Sequence, residues 1–368
     1  MMLTVDGLTH RYGEEHAVTD VSFDLAAGKL VALLGPSGCG KTTVVQAIAG
    51  HLRPTAGRIE LRGREVTRDP PESRRVGLVF QESTVFPHLT VLENVAYGVR
   101  ATDLSNSEQH KRVTNYLSLV GLDDQRDSYP AQLSGGQKRR VEFARALAPK
   151  PDVLLLDEPL SALDRGLREQ LRGEIARIQR ETGVTTLVVT HDQEDAMALA
   201  DRLLVMNEGT VVGAGTPRDL YQSPPTPFVA SFLGRSNRLS ARVTDTDPLL
   251  LSVGERELRL NGETTGLAAG TDAVCHIRPH SLRITSSDTN GDSTTIPGKV
   301  VDVVDVGRRY DVTVRTPTDE TVVVAQRDSP PPLGESVEVV VAVDDLTVFA
   351  DTEAQTTEQP TEREPSAE

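Results

Sequence analysis

An α/β domain with a mostly parallel sheet, interrupted by a helical insertion and followed by a small all-β barrel, is the fold class the sequence predicts. Three observations predict it. Apolar runs, "LVALLG", "RVGLVFQ", "DVLLLDEP", "TTLVVTH" and "RLLVMNEG", alternate with stretches of helical period over residues 1 to 235. Such runs are what strands covered on both faces look like. Between about 85 and 150 the strand pattern stops, and "SNSEQHKRVTNYLSLVGL" and "GGQKRRVEFARALA" read as helices. From 236 to 350 the texture changes to short β-branched runs parted by Gly, Asp and Pro: "LSARVTD", "LLLSVG", "ELRL", "AVCHIR", "GKVVDVVDVG", "RYDVTVRT", "TVVVAQR" and "VEVVVAV". These predict a barrel of the OB type. Residues 351–368, "DTEAQTTEQPTEREPSAE", are acidic and almost free of apolar side chains, which predicts a disordered tail.

Composition narrows the function. The chain has 368 residues, Lys+Arg 39 against Asp+Glu 54, and a formal net charge of -15. A surface of that sign repels a phosphate backbone, so no nucleic-acid partner is expected. The lysines are Lys29, Lys41, Lys111, Lys138, Lys150 and Lys299, and all other basic residues are arginines. A carboxylate-rich, lysine-poor surface suits a salt-rich cytoplasm, where self-repulsion is screened. Arginine bias inherited from base composition is the competing explanation. The two cysteines, Cys39 and Cys275, lie far apart in sequence, so a reducing compartment is expected rather than a disulfide framework. No apolar run reaches the roughly 18 residues that span a bilayer, and the amino terminus lacks the order of a signal peptide. The expectation is a cytoplasmic protein whose membrane role runs through a partner.

Three motifs carry chemistry. "GPSGCGKTT" follows the strand "LVALL" and leads into the helical "TTVVQAIAG". Gly35, Pro36, Ser37, Gly38, Cys39, Gly40, Lys41 and Thr42 fit G-x-x-x-x-G-K-[ST], with Thr43 next. The glycines let backbone N–H groups converge on phosphates at a helix start, Lys41 reaches the β- and γ-phosphates, and the Thr42 hydroxyl meets Mg²⁺. Cys39 inside this loop is read as a small filler, with redox control the minor alternative. "VLLLDEP" ends an apolar strand in two carboxylates: Asp157 to hold Mg²⁺ and Glu158 to polarise the attacking water. "QLSGGQKRRVEFARALA" then presents Ser134 and two glycines at the start of a further helix, a second ready-made anion site. One chain with two phosphate-binding helix starts raises the question of what the second one holds.

"LSGGQ" at 133–137, together with "GPSGCGKTT", "LLLDEP", "SALD" and "VTHDQEDA" in that order, resembles the nucleotide-binding subunit of an ABC transporter, over residues 3 to about 235. The resemblance implies a P-loop ATPase acting as a head-to-tail homodimer. Each ATP would lie between one copy's loop and the Ser134, Gly135, Gly136 and Gln137 motif of the other. It further implies that Tyr12 stacks on adenine with Val18 beneath the ring, and that Gln81 reaches Mg²⁺ alongside Thr42 and Asp157. Asp164 would stand at the dimer interface, and His191 would contact the γ-phosphate and orient Glu158 and the water. The catalytic set so implied is Glu158, His191 and Lys41, with ATP and Mg²⁺ as cofactors.

"IRPHSLRI" and "GKVVDVVDVGRRYDVTVR" are similar to the OB-type (TOBE) regulatory domain of importer ATPases. This implies uptake of a small solute through a separate membrane permease, fed by an extracytoplasmic solute-binding protein, with the ATPase peripheral on the cytoplasmic face. Phe86, Pro87, His88 and Leu89 are the candidate permease surface. An inorganic ion such as ferric iron, or another small charged solute, is the first expectation. Thiamine, polyamine, sulfate, molybdate and sugar are the alternatives. The rival class, a soluble ABC ATPase without a permease, usually carries paired cassettes, a long coiled coil or metal-binding cysteines, none of which is visible in the sequence.

Overall fold

The computed structural model describes residues 1–161, 164–254, 256–260, 267–285 and 294–351. The expected tail, 352–368, lies outside the described residues. The chain forms two compact units, Met1–Leu220 and Tyr221–Glu368.

The first unit is the predicted α/β fold. Its elements are β1 (Leu3–Tyr12), β2 (Glu15–Leu25), β3 (Leu30–Leu34), α1 (Lys41–Ala49), β4 (Ala56–Leu61), β5 (Arg64–Glu65), β6 (Val76–Val79), α2 (Val91–Val99), α3 (Asn106–Leu119), α4 (Gly135–Leu147), β7 (Val153–Asp157), α5 (Arg165–Thr182), β8 (Thr185–Thr190), α6 (Gln193–Leu199), β9 (Arg202–Asn207) and β10 (Thr210–Gly215). The main sheet has the order β10-β9-β3-β8-β7-β6, parallel except for β10. Alternate residues of its strands feed two cores. Val153 and Leu155 of β7 pack with α1 and the amino-terminal strands, while Leu154 and Leu156 pack with α2 to α5. Burial on both faces is why these strands read as continuous apolar runs. The helical insertion is present as α2, α3 and α4.

A second, antiparallel sheet of order β2-β1-β4-β5 covers the first core. The strand-helix alternation gave no sign of it. Register shifts between Val5 and Leu8, Leu8 and His10, and His10 and Arg11 break the period of two along β1.

The second unit continues from α7 (Pro217–Gln222), which crosses the unit boundary, through α8 (Pro227–Phe232) into ten strands among the described residues. These are β11 (Asn237–Thr246), β12 (Leu249–Val253), β13 (Arg256–Leu260), β14 (Asp272–Ile277), β15 (Leu282–Thr285), β16 (Thr294–Asp305), β17 (Tyr310–Arg315), β18 (Thr321–Gln326), β19 (Ser336–Val341) and β20 (Thr347–Ala350). They form two five-stranded antiparallel sheets, β13-β12-β11-β14-β20 and β15-β19-β16-β17-β18, closed over one core. Buried Arg278 ties α8 and its flanks to this unit. Its guanidinium donates to the carbonyls of Tyr221 (3.0 Å), Ala230 (2.8 Å) and Gly234 (3.1 Å) and lies 4.2 Å from the Tyr221 ring centroid. Residues 221–235 therefore cluster with the strands that follow them.

Candidate functional site

Strands β3, β8, β7 and β6 are consecutive neighbours and run parallel, so their carboxyl ends share one edge of the sheet. Each end opens into a segment with a motif residue: the glycine loop after β3, His191 after β8, Glu158 after β7 and Gln81 after β6. Register places Leu34 beside Thr190 and Val189 beside Asp157. The carboxyl edge of a parallel α/β sheet is where ligands meet loops rather than packed helices.

The glycine loop is a cradle that side chains would fill. A Cβ on Gly35 would lie 2.5 Å from the Met206 carbonyl oxygen and 2.6 Å from Cys39 Sγ. Gly40 has φ +99°, and a Cβ there would lie 2.5 Å from both the Ala17 carbonyl oxygen and Val18 Cγ1. Gly40 caps α1 without a side-chain hydrogen bond, so no side chain occupies the first amides of the helix. Lys41 is buried beneath the loop, and its ammonium donates to the carbonyls of Gly35 (2.8 Å) and Pro36 (2.7 Å). The Thr42 hydroxyl is on an exposed residue and Thr43 is buried, while Ser37 and Gly38 are exposed at the loop tip. Burial pushes the Cys39 thiol above its ordinary range against the opposing pull of Lys41, so Cys39 is a protonated filler of the loop.

Asp157 ends β7 in a buried position. Burial, with Glu158 next to it, pushes its carboxyl above the ordinary range, while Lys41 and Arg139 pull the other way. Its Oδ1 is buried and has no hydrogen-bond partner. Glu158 has φ +45°, rare for a side chain with a Cβ. The turn is held by its N–H donating to the Val189 carbonyl (2.9 Å) and by the Ser161 hydroxyl donating to its own carbonyl (2.9 Å). That geometry aims the carboxylate at His191, with Oε1 3.1 Å from Nδ1. Among the described residues no cluster of three or more His, Cys, Asp or Glu could hold a metal. One orphaned carboxylate oxygen beside a phosphate cradle fits an ion held chiefly by substrate phosphates and water, as Mg²⁺ is.

The second helix start is built differently. Ser134 Oγ accepts from Gln137 N–H (3.3 Å) while Gln137 Oε1 accepts from Ser134 N–H (2.9 Å), a complete capping box. Among the described residues Ser134 has no hydrogen bond to the glycine loop of its own chain. Gly135 is exposed, and a Cβ on buried Gly136 would touch Leu167 at 3.2 Å. Asp164 caps α5, its Oδ1 accepting from Leu167 N–H (3.0 Å); Ala162 and Leu163 of "SALD" lie outside the described residues. Val18 reaches the loop through Gly40. Tyr12 is 53% exposed at the end of β1, edge-on to His10, and Gln81 is exposed. Fold and motif thus bring Lys41, Gln81, Asp157, Glu158 and His191 to one edge, and leave Tyr12, Ser134 and Asp164 exposed.

Two residues near the site escaped the sequence reading. Arg139 and Glu142 form a buried ion pair on α4, at 2.9 Å. The available signal was an Arg and a Glu three apart on a helix, a pattern that ordinarily marks a solvated face.

Comparison with known proteins supplies the frame. Residues 18–161 match the ABC transporter family, and residues 275–349 match the TOBE domain. The chain is 42% identical over 326 residues to a spermidine/putrescine import ATP-binding protein of Thermobifida fusca, covering 87% of this chain and 84% of the relative. It is 42% identical over 298 residues to an Fe(3+) ions import ATP-binding protein of Brucella abortus, covering 80% of this chain and 83% of the relative. Among solved structures it resembles cbiO1 of Clostridium perfringens, described as part of the ABC transporter complex cbiONQ. The TM-score is 0.56 and the identity 31%, covering 61% of this chain and 92% of that chain.

Proposed function

Because the chain belongs to the family of ABC importer ATP-binding subunits, which hydrolyse ATP to power uptake through a separate membrane permease, we propose that it works as a head-to-tail homodimer with two shared ATP sites. The observation that carries this reading is the 3.1 Å Glu158–His191 contact beside the orphaned Asp157 oxygen, on the same sheet edge as Lys41. Within one chain the phosphate side of the site is built while Ser134 faces away, and a second copy supplies the missing wall.

In this reading the triphosphate lies over the amides of Gly38 to Thr43, and Lys41 exchanges its loop carbonyls for the β- and γ-phosphates. Thr42, Gln81 and Asp157 are the residues that would hold Mg²⁺, which supplies positive charge against the phosphate oxygens. Glu158 orients and polarises a water whose oxygen forms the new bond to the γ-phosphorus as the bond to the β-γ bridging oxygen breaks. His191 fixes the Glu158 carboxylate and contacts the γ-phosphate. Tyr12, over Val18, takes the adenine face, and Asp164 meets the partner copy. ATP makes contacts in the closed pair that the open pair lacks, and only such a difference can drive closure.

The output surface lies at residues 86–90. Fully buried Asn94 shapes it, accepting from Phe86 N–H (2.8 Å) and donating to the carbonyls of Phe86 (3.1 Å), Leu89 (3.0 Å) and Thr90 (2.9 Å). This leaves Pro87 and His88 exposed beside half-exposed Tyr97, an apolar and aromatic patch of the kind a permease segment would cover. Through that contact the subunit would sit on the cytoplasmic face of the permease. Among the described residues no helix is long and apolar enough to cross a membrane. The solute meets the permease and an extracytoplasmic binding protein, not this subunit. Relatives named for polyamine, for ferric iron and for sulfate all match, which supports a small charged solute without ranking these three.

The test is the solution mass of Glu158→Gln by light scattering, with and without Mg-ATP, at molar potassium chloride and at low salt. Doubling of mass on adding ATP is expected. Unchanged mass at both salts, with ATP bound, overturns the shared-site reading.

A further inference from the structure

The β15-β19-β16-β17-β18 sheet turns one face to the core through Ile296, Val300, Val314, Val337 and Val339. Strand alternation therefore puts Pro297, Lys299, Arg315, Ser336 and Glu338 together on the other face. They line an open groove of about 680 Å³, every lining residue of which belongs to the second unit. Register fixes their places: Lys299 stands opposite Ser336 on one side and opposite Arg315 on the other, and Pro297 stands opposite Glu338.

Two arrangements in this groove oppose stability. Lys299 and Arg315 are like charges directly opposite each other, which destabilises a strand pair. Arg315 has exposed Asp319 at 3.5 Å, whereas Lys299 makes no ion pair among the described residues. Oε2 of Glu338 is buried and has no hydrogen-bond partner among the described residues, and a desolvated carboxylate oxygen without a donor is costly. Lys299 is a diagonal neighbour of Glu338, close enough for long side chains to meet. It turns the other way. Its Cε lies 3.7 Å from the place a Cβ on Gly334 would take, and Gly334 and Glu338 stand two residues to either side of Ser336. The Gly334 turn, at φ +83°, is held by its N–H donating to the Val300 carbonyl at 2.8 Å. Two cations and a carboxylate thus line one groove without closing on each other, over an apolar floor at Pro297.

We propose that this groove binds a small zwitterion, with the ligand's carboxylate between Lys299 and Arg315 and its ammonium on Glu338. Such a ligand answers all three charges at once. Its carboxylate removes the repulsion of the opposed cations, and its ammonium gives the buried oxygen a charged donor. A simple anion leaves Glu338 without a partner, and a simple amine leaves Lys299 and Arg315 opposed. The site is independent of the ATP-site reading.

Isothermal titration calorimetry of the full chain at low ionic strength tests it, with glycine, 4-aminobutyrate and 6-aminohexanoate as probes. At least one should bind with a dissociation constant below about 1 mM, and at least about ten-fold tighter than the matching simple carboxylate and simple amine. Lys299→Met and Glu338→Gln should each weaken that binding at least about ten-fold. Both should keep the melting temperature within a few degrees, since Lys299 is exposed and Glu338 is on the face away from the core. No binding by any of the three probes overturns the proposal, as does a simple carboxylate or amine that binds as tightly as the zwitterion. Zwitterion binding that either variant retains places the ligand elsewhere and overturns it equally.

Discussion

The helices α1 and α4 both begin at glycine-rich motifs suited to anions, yet they are finished in opposite ways. At α1 the cap is Gly40, no side chain bonds the first amides, and a methyl group added at Gly35 or Gly40 would collide with backbone. A buried ammonium donates to the loop carbonyls. At α4 the capping box of Ser134 and Gln137 engages the amides of those two residues. The hydroxyl proton of Ser134 and the amides of Gly135 and Gly136 remain to offer. For the proposed site the difference is a division of labour: α1 would hold the triphosphate, whereas α4 would add to a phosphate that the other copy has already placed.

That contrast breaks most severely at Lys41. Lys41→Ala removes the cation proposed to meet the phosphates and also its two hydrogen bonds to loop carbonyls. Hydrolysis should fall by at least about 10³-fold and ATP affinity by at least about ten-fold, read by steady-state ATPase and nucleotide titration. Retention of both would show that the cradle does not bind phosphate through this residue.

Ser134→Arg attacks the other helix start. A bulky cation there leaves the α1 cradle untouched, so ATP affinity should stay within about three-fold while hydrolysis drops by about 10²-fold. Equal loss of binding and turnover would erase the distinction between the two helix starts, and unchanged turnover would remove α4 from the site.

Much of this layout was legible because of how the strands are buried. "LVALL", "VLLLD" and "TTLVVT" are buried at every residue, so apolar runs ending in motif letters marked both the sheet and its carboxyl edge. The amino-terminal sheet was hidden by the bulges in β1, and the four-residue strands β15 and β20 were too short to stand out. Arg139 and Glu142 were invisible for a different reason. On a helix as rich in charge as "GGQKRRVEFARAL", an Arg and a Glu three apart look like a solvated face, and only the tertiary fold shows loop backbone covering them. Tyr12 and Gln81 are exposed, Tyr12 with its ring edge-on to His10, and the contacts proposed for them are with the nucleotide.

The smallest expected effect lies at the Asp157 carboxylate, read without added nucleotide. Asp157 is buried, its Oδ1 has no partner, and its carboxyl is pushed above the ordinary range by burial and then by Glu158. A raised folded-state pKa means that the folded chain binds a proton more tightly than the unfolded one. Stability from that proton is full below the unfolded carboxylate range and is lost as pH rises through the folded value. Asp157→Asn never carries the buried charge, so it should melt at or slightly above the wild-type temperature near neutral pH. The two should converge in acid, where Asp157 is protonated anyway. Adding Mg-ATP should reverse the order, raising the melting temperature of the wild type more than that of the variant, because the orphaned oxygen then has a cation to meet. Thermal melts across pH, with and without Mg-ATP, read both effects. An Asn variant that is less stable at neutral pH without nucleotide would mean that Asp157 is held for packing rather than kept in readiness for a ligand.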